Sequence, residues 1–433
     1  MNIRGILVPA ERKALKGETL PVELPQKVVI PMLHGKGEPC EVLVRVGDKV
    51  KVGTLIGDGE DRVCVHSSVS GEVEEIRDFT TAEGVSCQAV VIHTDGEQTV
   101  DSAVKPPVIS SKEEFIEALR RSGCVGLGGS GDPTFKKLSA QADKLIINAV
   151  ECEPFLVTDY RCIMENGKEA VEGIRQIMKY LAIDKAVIAV SNDTDAAEKL
   201  QELTAADESI SVKQLPPRYP LGQDRILAKR IFKVNVKSGE RPEDKGIIVL
   251  NISTAEFIGE YLKTGMPLVT RRVTVDGNIV KTPCCVRAWV GTSAAKLLEF
   301  AQANLEVTEK IVLGGPMTGI CLDSEAYPIC KQTGALTAFI KPLEDKPKGL
   351  IAPPKETNCF RCGRCMRACP EELMPMKLEK AFDKKNKAAL KRLGAEKCSG
   401  CGACSYVCPA KREPAQKIAQ AKQLLAQKDE EVR

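Results

Sequence analysis

The sequence predicts a multidomain chain with small β domains, an α/β domain and a C-terminal cysteine-rich helical module. Three observations support this fold class. The length of 433 residues exceeds what one hydrophobic core usually serves. Along the chain, short strands broken by glycine give way to alternating strands and helices. Finally, eight of the 18 cysteines lie between residues 359 and 408.

The composition limits the classes of binding partner and the cellular compartment that we expect for this chain. Hydrophobic residues make up 43% of the chain and charged residues 28%, as in ordinary soluble proteins. A net charge of +3 gives little support to nucleic acid or an anionic membrane as partner. The sequence has neither an apolar stretch of membrane-spanning length nor a signal peptide. We therefore expect a cytoplasmic protein with reduced thiols, peripheral to the inner face of a membrane only through partner subunits.

The region from about Val28 to Thr99 predicts a small β domain. Its apolar runs have strand length and are separated by glycines. The pieces VRVGDKVKVGTLIG and SSVSGEVEEI resemble the barrel-sandwich fold of biotinyl and lipoyl carriers. Such carriers present a modifiable lysine beside a methionine or another hydrophobic residue at a hairpin tip, and this pattern is missing here. The domain is therefore expected to be structural.

The region from Ser110 to about Thr254 predicts an α/β domain with a largely parallel sheet. SSKEEFIEALRRSGC has a serine cap and an acidic first turn, which are typical of a helix. KLIINAV, KAVIAV and GIIVLNIST are strand-like, and GKEAVEGIRQIMKYLA is an amphipathic helix between the first two. Alternation of this kind indicates parallel strands joined by helices.

A glycine loop in this region is a candidate nucleotide site. The sequence GLGGSG at 126–131 fits G-x-G-x-x-G, but a helix precedes it, whereas the dinucleotide fingerprint follows a strand. Such a loop can still offer backbone N–H groups to a phosphate. Glu151 and Glu153 follow KLIINAV, where ligands of open α/β sheets bind. A nucleotide site and a purely structural turn both remain open on these residues alone.

The C-terminal cysteines form two runs of C-x2-C-x2-C-x3-C-P, the pattern of two-cluster ferredoxins. The fourth cysteine of each run reaches across to the other cluster. Zinc ribbons lack the third and fourth cysteines at these steps, and disulfides are not expected without export. The spacing therefore predicts two [4Fe–4S] clusters. One is assigned to Cys359, Cys362, Cys365 and Cys408, and the other to Cys398, Cys401, Cys404 and Cys369.

The remaining cysteines and histidines show no ligand spacing. Ten cysteines are scattered through the chain, and we expect them to be small buried hydrophobic residues. The three histidines are isolated and are expected to be structural. Near the C-terminus, KLEKAFDKKNKAALKRL predicts a Lys-rich amphipathic helix, and AQKIAQAKQLLAQKDEEV predicts another.

Several segments together resemble one family. GLGGSGDPTFKKL, LIINAVECEPFLVTD, RYPLGQDRIL, NIST, TRRVTVDGNIVKTP, VLGGPMTGI and the two cysteine runs occur in the order seen in the RnfC subunit of Rnf complexes. The middle portion is similar to the flavin-binding subunit of respiratory complex I. The resemblance implies an oxidoreductase subunit that takes electrons from NADH through FMN to two [4Fe–4S] clusters. The implied partners are membrane subunits that move sodium ions or protons, and ferredoxin or a flavoprotein.

The resemblance also implies domains and site residues. The domains are an N-terminal segment with the barrel-sandwich (1–105), an FMN and NADH domain (106–255), an SLBB β-grasp domain (256–345) and a ferredoxin-like module (346–433). It implies a glycine loop beside flavin and nicotinamide, formed by Gly126, Gly128, Gly129 and Gly131. Lys137 would bind a phosphate, and Glu151 and Glu153 would line the pocket. Asn251 and Thr254 would contact FMN.

Three departures from the family pattern support an alternative. Asp132 stands where the family usually has phenylalanine, NIST replaces N-V-G-T, and RGILVPAERKAL replaces an N-terminal G-G-V-H-P. An aspartate at this position predicts repulsion of phosphates and loss of an aromatic stacking surface. The alternative is a stand-alone electron adaptor with weakened or lost NADH binding, serving a soluble proline or cobalamin reductase of an anaerobe.

Overall fold

The computed structural model describes residues 5–9, 12–237, 239–340 and 356–426. Its first body is a β-sandwich, in agreement with the predicted N-terminal domain. After strand β1 (Leu20–Pro21), which lies outside the sandwich, its strands are β2 (Lys27–Pro31), β3 (Glu41–Val42), β4 (Lys49–Val50), β5 (Leu55–Asp58), β6 (Val65–His66), β7 (Gly71–Thr80) and β8 (Ser86–Thr94). Two sheets, β2-β8-β7-β4 and β3-β5-β6, enclose a core of valines and isoleucines.

The second body is the α/β domain. Its elements are α1 (Lys112–Arg121), α2 (Thr134–Ser139), β9 (Lys144–Ala149), α3 (Thr158–Leu181), β10 (Ala186–Ser191), α4 (Ala196–Thr204), β11 (Ile210–Leu215), α5 (Asp224–Ile231), β12 (Ile247–Asn251) and α6 (Ile252–Thr264). The sheet order is β11-β10-β9-β12, and every pairing is parallel, as predicted. Ser111 caps α1 by accepting the Glu114 N–H, which confirms the predicted helix start.

A third body contains a mixed sheet. Its elements are β13 (Thr270–Asp276), β14 (Cys284–Trp289), α7 (Ala294–Phe300), β15 (Thr308–Leu313), β16 (Ile320–Leu322) and β17 (Ala335–Ile340). The order is β1-β14-β13-β17-β15-β16. Strand β1 precedes the sandwich in the chain but pairs with β14 here, so the N-terminal segment joins the first and third bodies. The predicted domain boundary at 345/346 lies outside the described residues.

The C-terminal module is helical. It contains α8 (Arg364–Ala368), α9 (Pro375–Asp383), α10 (Lys387–Arg392), α11 (Ala403–Tyr406) and α12 (Pro414–Ala426). The prediction of one Lys-rich helix is wrong, because α9 ends at Asp383 and Lys385 has a positive φ of 50°. The break lets Leu378 and Leu390 of the two short helices pack into one core with Ile418. The last residues of the predicted tail helix lie outside the described residues.

Within the part of the chain that the structure describes, no helix is both long and apolar enough to cross a bilayer. Seven of the ten scattered cysteines are buried, as expected, whereas Cys321 is exposed. Of the histidines, His34 and His66 are buried, and His34 Nδ1 accepts the Lys331 N–H at 3.3 Å. These two histidines therefore belong to the packed interior.

Candidate functional site

A cavity of about 710 Å³ opens at the carboxyl ends of strands β9 and β12. Most of its wall comes from the chain that follows the sandwich: the glycine loop, the strand ends, residues near 219–225, residues 313–320 and 332–335, and Ser399 of the second cysteine run. Ligands of open α/β sheets bind at this edge. A cavity of this volume can hold a cofactor-sized molecule.

The glycine loop presents bare backbone to this cavity. The Leu127 N–H donates to Thr254 Oγ1 at 3.0 Å, which ties the loop to α6. Gly128 lies against Asn251, and a Cβ there would come within 2.9 Å of its amide nitrogen. Gly129 has φ +93°, and an added Cβ would meet no described atom within 4 Å. The loop therefore has the close approach and exposed backbone that a phosphate or a ring system needs.

Gly131 has a different role from the other glycines. Its φ is +60°, its carbonyl accepts the Lys36 N–H at 2.9 Å, and a Cβ would lie 2.5 Å from Gly35 of the sandwich. Gly131 does not line the cavity. It joins the glycine loop to the N-terminal domain.

Two asparagines lie side by side at the strand ends. Asn148 of β9 and Asn251 of β12 are partners in the parallel register. The Asn148 amide donates to the Gly222 carbonyl at 2.7 Å. Asn251 caps α6 by accepting the Ser253 N–H at 3.0 Å. Both side chains line the cavity and are held by these hydrogen bonds.

The two predicted glutamates differ in function. Glu151 accepts the backbone N–H groups of Asp159 (3.0 Å) and Tyr160 (3.2 Å), so it caps the start of α3. Glu153 accepts the Met317 N–H at 3.2 Å and the Thr318 hydroxyl, which binds it to the third body. Burial raises the pKa of Glu153, although these hydrogen bonds oppose the shift. Both carboxylates are in the cavity wall.

Asp159 is a buried acid in the same wall that the sequence did not single out. Its carboxylate accepts from Asn251 Nδ2 and from Ser253 Oγ, both at 2.7 Å. Burial, with the nearby charge of Glu151, raises the pKa of Asp159 to about 7. The group therefore fixes the orientation of Asn251 and can change its protonation state near neutral pH.

The charged residues around the glycine loop are already paired. Lys137 Nζ lies 2.9 Å from Asp224 and 3.7 Å from Glu243. Burial by itself would lower the pKa of Lys137, but these carboxylates outweigh it and raise the pKa. Asp132 lies 3.2 Å from Lys36 and 3.5 Å from Arg241. Its negative charge at the cavity is therefore offset by two cations.

Four cysteines assigned to the first cluster line one small cavity. Cys359, Cys362, Cys365 and Cys408 share it with Met376 at the start of α9. The set unites three members of the first run with the last member of the second, as the crossed pattern predicts. Among the described residues, no side chains converge tightly enough to hold a single metal ion. This finding concerns single ions only, because the four thiolates of a [4Fe–4S] cluster bind four different iron atoms and need not converge on one point.

The second run packs against the large cavity. Cys369, Cys401 and Cys404 are buried. Tyr219, only 3% exposed, lines the large cavity and donates its hydroxyl to the Cys401 carbonyl at 2.5 Å. Ser399 is itself part of the cavity wall. One tyrosine and one turn of backbone thus separate the large cavity from the second set of thiols.

Family comparisons agree with this arrangement. Three family models match: the RnfC barrel sandwich hybrid domain at residues 2–97, the Nuo51 FMN-binding domain at 119–260 and the 4Fe-4S dicluster domain at 358–411. A curated relative is the C subunit of the proton-translocating ferredoxin:NAD(+) oxidoreductase complex of Clostridium ljungdahlii. It is 33% identical over 87% of this chain and 83% of that protein. The chain belongs to the RnfC family.

Other relatives extend the comparison. The C subunit of the Na(+)-translocating ferredoxin:NAD(+) oxidoreductase complex of Acetobacterium woodii is 33% identical over 87% of this chain and 86% of its own length. The C subunit of the ion-translocating oxidoreductase complex of Klebsiella pneumoniae is 33% identical over 87% of this chain, but the match spans only 51% of that longer protein. An NAD+-reducing [NiFe]-hydrogenase structure in the H2-reduced state has a TM-score of 0.49 at 14% identity, covering 74% of this chain and 64% of that one.

The cavity brings together most residues that the RnfC resemblance implied. Seven of the nine nucleotide-site residues line it: Gly126, Gly128, Gly129, Lys137, Glu151, Glu153 and Asn251. The expectation that Thr254 contacts FMN does not match its position, because Thr254 is fully buried behind the loop and bonds Leu127. The exposed loop backbone and the fixed asparagines suit a flavin phosphate and ring, so these residues fit the FMN of the matched domain.

Among the cavity residues that sequence reasoning did not single out are Asp159, Tyr219 and Thr318. Asp159 and Tyr219 are isolated in the sequence, and Thr318 lies in a loop of another body. All three fall inside segments that carried the family resemblance, which are LIINAVECEPFLVTD, RYPLGQDRIL and VLGGPMTGI. Their place in these segments could have marked them as site residues, but no spacing rule assigned any of these side chains a role.

Proposed function

We propose that this RnfC-family chain is the electron-transfer subunit that links NADH to a partner through FMN and two [4Fe–4S] clusters. The observation that carries the proposal is the wall shared by the large cavity and the second cysteine run, through Ser399 and the bond from Tyr219 to Cys401. The partners are the other subunits of an Rnf-type complex. Peripheral attachment to the inner membrane face through those subunits is part of the same proposal.

The FMN-binding residues are proposed to be Gly126, Gly128, Gly129 and Asn251. The glycines offer backbone N–H groups, and Asn251 is held in place from the other side by Asp159. Thr254 acts indirectly, by keeping the Leu127 N–H and the loop in position. When bound, FMN supplies the conversion of a two-electron hydride transfer into single-electron steps.

Residues on the far wall would orient the nicotinamide side and exclude water. Glu153, tied to Met317 and Thr318, is the acidic side chain proposed for this pocket. Lys137 contributes less charge than the sequence suggested, because Asp224 and Glu243 already pair with it. Glu151 supports the pocket by capping α3. Gly131 supports it through the contact with Gly35.

The cluster ligands are proposed as two crossed sets. Cys359, Cys362, Cys365 and Cys408 hold the outer cluster, and Cys369, Cys398, Cys401 and Cys404 hold the inner one. The shared cavity of the first four thiols supports this assignment. The buried position of Cys369, Cys401 and Cys404 beside the flavin cavity supports the order of transfer.

The third body is proposed to be an SLBB-type β-grasp domain. Its mixed sheet with helix α7 on one face, and the loop of residues 313–320 at the cavity, support that proposal. The domain limits proposed are 1–105, 106–255, 256–345 and 346–433. Helix α6 extends to Thr264 and packs on α3, so the second limit divides a helix of the α/β core.

The alternative of an adaptor with weakened or lost NADH binding drew its main support from Asp132. Because Lys36 and Arg241 lie within 3.5 Å of this carboxylate, the repulsion of a phosphate is weaker than the sequence suggests. We therefore favour the NADH-linked function.

The test is an anaerobic NADH titration of the cluster-loaded protein, followed by visible absorption. Bleaching of the flavin and then of the clusters is the expected result. If dithionite reduces the clusters but NADH leaves both flavin and clusters oxidised, the proposed function is wrong. Asp132→Asn is a useful companion variant, since it removes the charge and keeps the side-chain size.

A further inference from the structure

The surface around the outer cysteines differs from the rest of the module. Cys359 and Cys362 are exposed, and Phe360 between them is 62% exposed. Arg361, Arg364 and Arg367 are also exposed. We call these four residues, Phe360 and the three arginines, the outer face. The outer face therefore combines one exposed aromatic ring with three exposed guanidinium groups beside two exposed thiols.

Positive charge is concentrated in this module. Residues 356–426 contain 15 Lys and Arg and 7 Asp and Glu, a net charge of +8, although the whole chain carries only +3. Within the described ranges, none of the three outer-face arginines forms an ion pair. Arg412 and Lys417 of the same module, by contrast, both pair with Glu379. The outer face therefore carries unneutralised cations directly beside thiols at the surface.

We propose that the outer face docks an acidic one-electron carrier protein, whose carboxylates surround its own redox centre. This inference rests on the proposed function, because it makes the outer cluster the point of exchange. The inner set is less accessible, since three of its four thiols are buried and Tyr219 and the third body pack against the second run. One electron passes between the outer cluster and the carrier; one centre is oxidised by one electron as the other is reduced, and no proton or bond changes.

Physical reasons favour this kind of occupant. Unpaired arginines attract carboxylates, raise the association rate and fix the orientation of the partner. Phe360 supplies an apolar anchor at the centre of the contact. A cationic carrier would instead be repelled by the three arginines and by the net positive charge of the module. The exposed position of Cys359 and Cys362 lets a docked redox centre approach the cluster closely.

A second basic surface provides a matched control. Lys384 and Lys385 are exposed at the junction of α9 and α10, and Lys391 is exposed in the last turn of α10. Met376 borders the outer thiols at the start of α9, and the junction lies about 12 Å along the helix from it. Reversing these three charges changes the net charge as much as reversing the three arginines, without touching the outer face.

The experiment measures binding of the intact, cluster-loaded protein to an acidic two-cluster ferredoxin as probe, with basic cytochrome c as the opposite-charge probe. The triple variant R361E/R364E/R367E is expected to slow association with the ferredoxin at least about tenfold at low salt. K384E/K385E/K391E is expected to change it less than about threefold. Phe360→Ala, which keeps all charges, is expected to speed dissociation. Iron content and visible absorption establish that each variant holds its clusters.

Opposite outcomes would overturn the docking proposal. Equal effects of the two triple variants would mean that only net charge matters, and binding of cytochrome c as tight as that of the ferredoxin would exclude charge selection. The NADH titration separates this proposal from the function. If NADH does not reduce the protein but ferredoxin binding still depends on the arginines, the proposed function is wrong and the docking proposal stands. If NADH reduces the protein normally but ferredoxin binding does not depend on the arginines, the docking proposal is wrong and the proposed function stands.

Discussion

The two cysteine runs have the same spacing but different surroundings. In the first run, Cys359 and Cys362 are exposed among arginines. In the second, Cys401 and Cys404 are buried, and the Cys401 carbonyl accepts a hydrogen bond from Tyr219 of the large cavity. Spacing decides which cofactor a run can hold. Packing decides whether that cofactor faces another cofactor or a partner protein.

The largest expected effect comes from removing one ligand from each set. Cys401→Ser should cost the inner cluster and stop electrons from NADH before the outer cluster, because the connection to the cavity is lost. Cys359→Ser should cost the outer cluster and leave the inner one reducible by NADH. Iron content and low-temperature electron paramagnetic resonance after NADH or dithionite distinguish the two variants. If NADH reduced the remaining cluster of the Cys401 variant as fast as the intact protein, the assigned order would be wrong.

The free energy of unfolding should also depend on pH through Asp159 in the cavity wall. The pKa of Asp159 is raised from 3.8 to about 7 by burial and Glu151, so the folded protein keeps a proton that the unfolded chain releases above about pH 4. Raising the pH from 4 toward 7 therefore favours unfolding through this group, by about 1.4 kcal/mol per unit at most. Unfolding in urea, followed by flavin fluorescence across this range, measures it.

Asp159→Asn is the variant for this test. It should flatten that pH dependence, since Asn does not titrate, although it disturbs the hydrogen bond from Asn251. Glu114→Gln, on the exposed start of α1, is a control acid outside the cavity. An unchanged pH profile in Asp159→Asn would show that another group is responsible.

A smaller effect is expected at the contact between cavity and inner run. Tyr219→Phe leaves the Cys401 carbonyl without its donor in a buried position, which costs about 1–3 kcal/mol. Electron transfer from flavin to the clusters should slow, as seen in stopped-flow absorption after NADH. Tyr406→Phe, at an exposed tyrosine of α11, should change neither the free energy of unfolding nor the rate of electron transfer. An equal loss in both variants would argue against a special role of the contact.

The smallest effect concerns the ion pair between module and α/β domain. Arg225 lies 3.7 Å from Glu371, and both side chains are partly exposed. Glu371→Gln should lower the free energy of unfolding by less than about 1 kcal/mol, because solvent screens such pairs. Measured in urea, a much larger loss would mean that the pair, rather than the packing around Tyr219, holds the module in place.

Much of the fold could be predicted because its signals are local. Ser111 before an acidic turn marks α1, and the apolar runs KLIINAV and KAVIAV are adjacent parallel strands. The prediction of one continuous Lys-rich helix failed for a physical reason. Its amphipathic pattern continues through residues 384–386, but the packing of Leu378 and Leu390 into one core requires a turn there.

The candidate site was only partly predictable. Gly128 and Gly129 were identified from a motif, whereas Gly131 belongs to the contact with Gly35. Thr254 follows Asn251 closely in sequence, but in helix α6 it points to the back of the loop. Asp159 could not be selected because its meaning depends on burial beside Glu151 and Asn251.

By itself the sequence determined the cofactor chemistry of the C-terminal module, since the steps between thiolates along the chain are local geometry. It also determined the alternation of strands and helices in the α/β domain, since periodicity is a property of neighbouring residues. Only the tertiary structure decided which run adjoins the large cavity, that Lys36 and Arg241 offset Asp132, and that cationic side chains are left at the outer cysteines. The first two of these features depend on contacts between residues about one hundred or more positions apart, which no local pattern encodes.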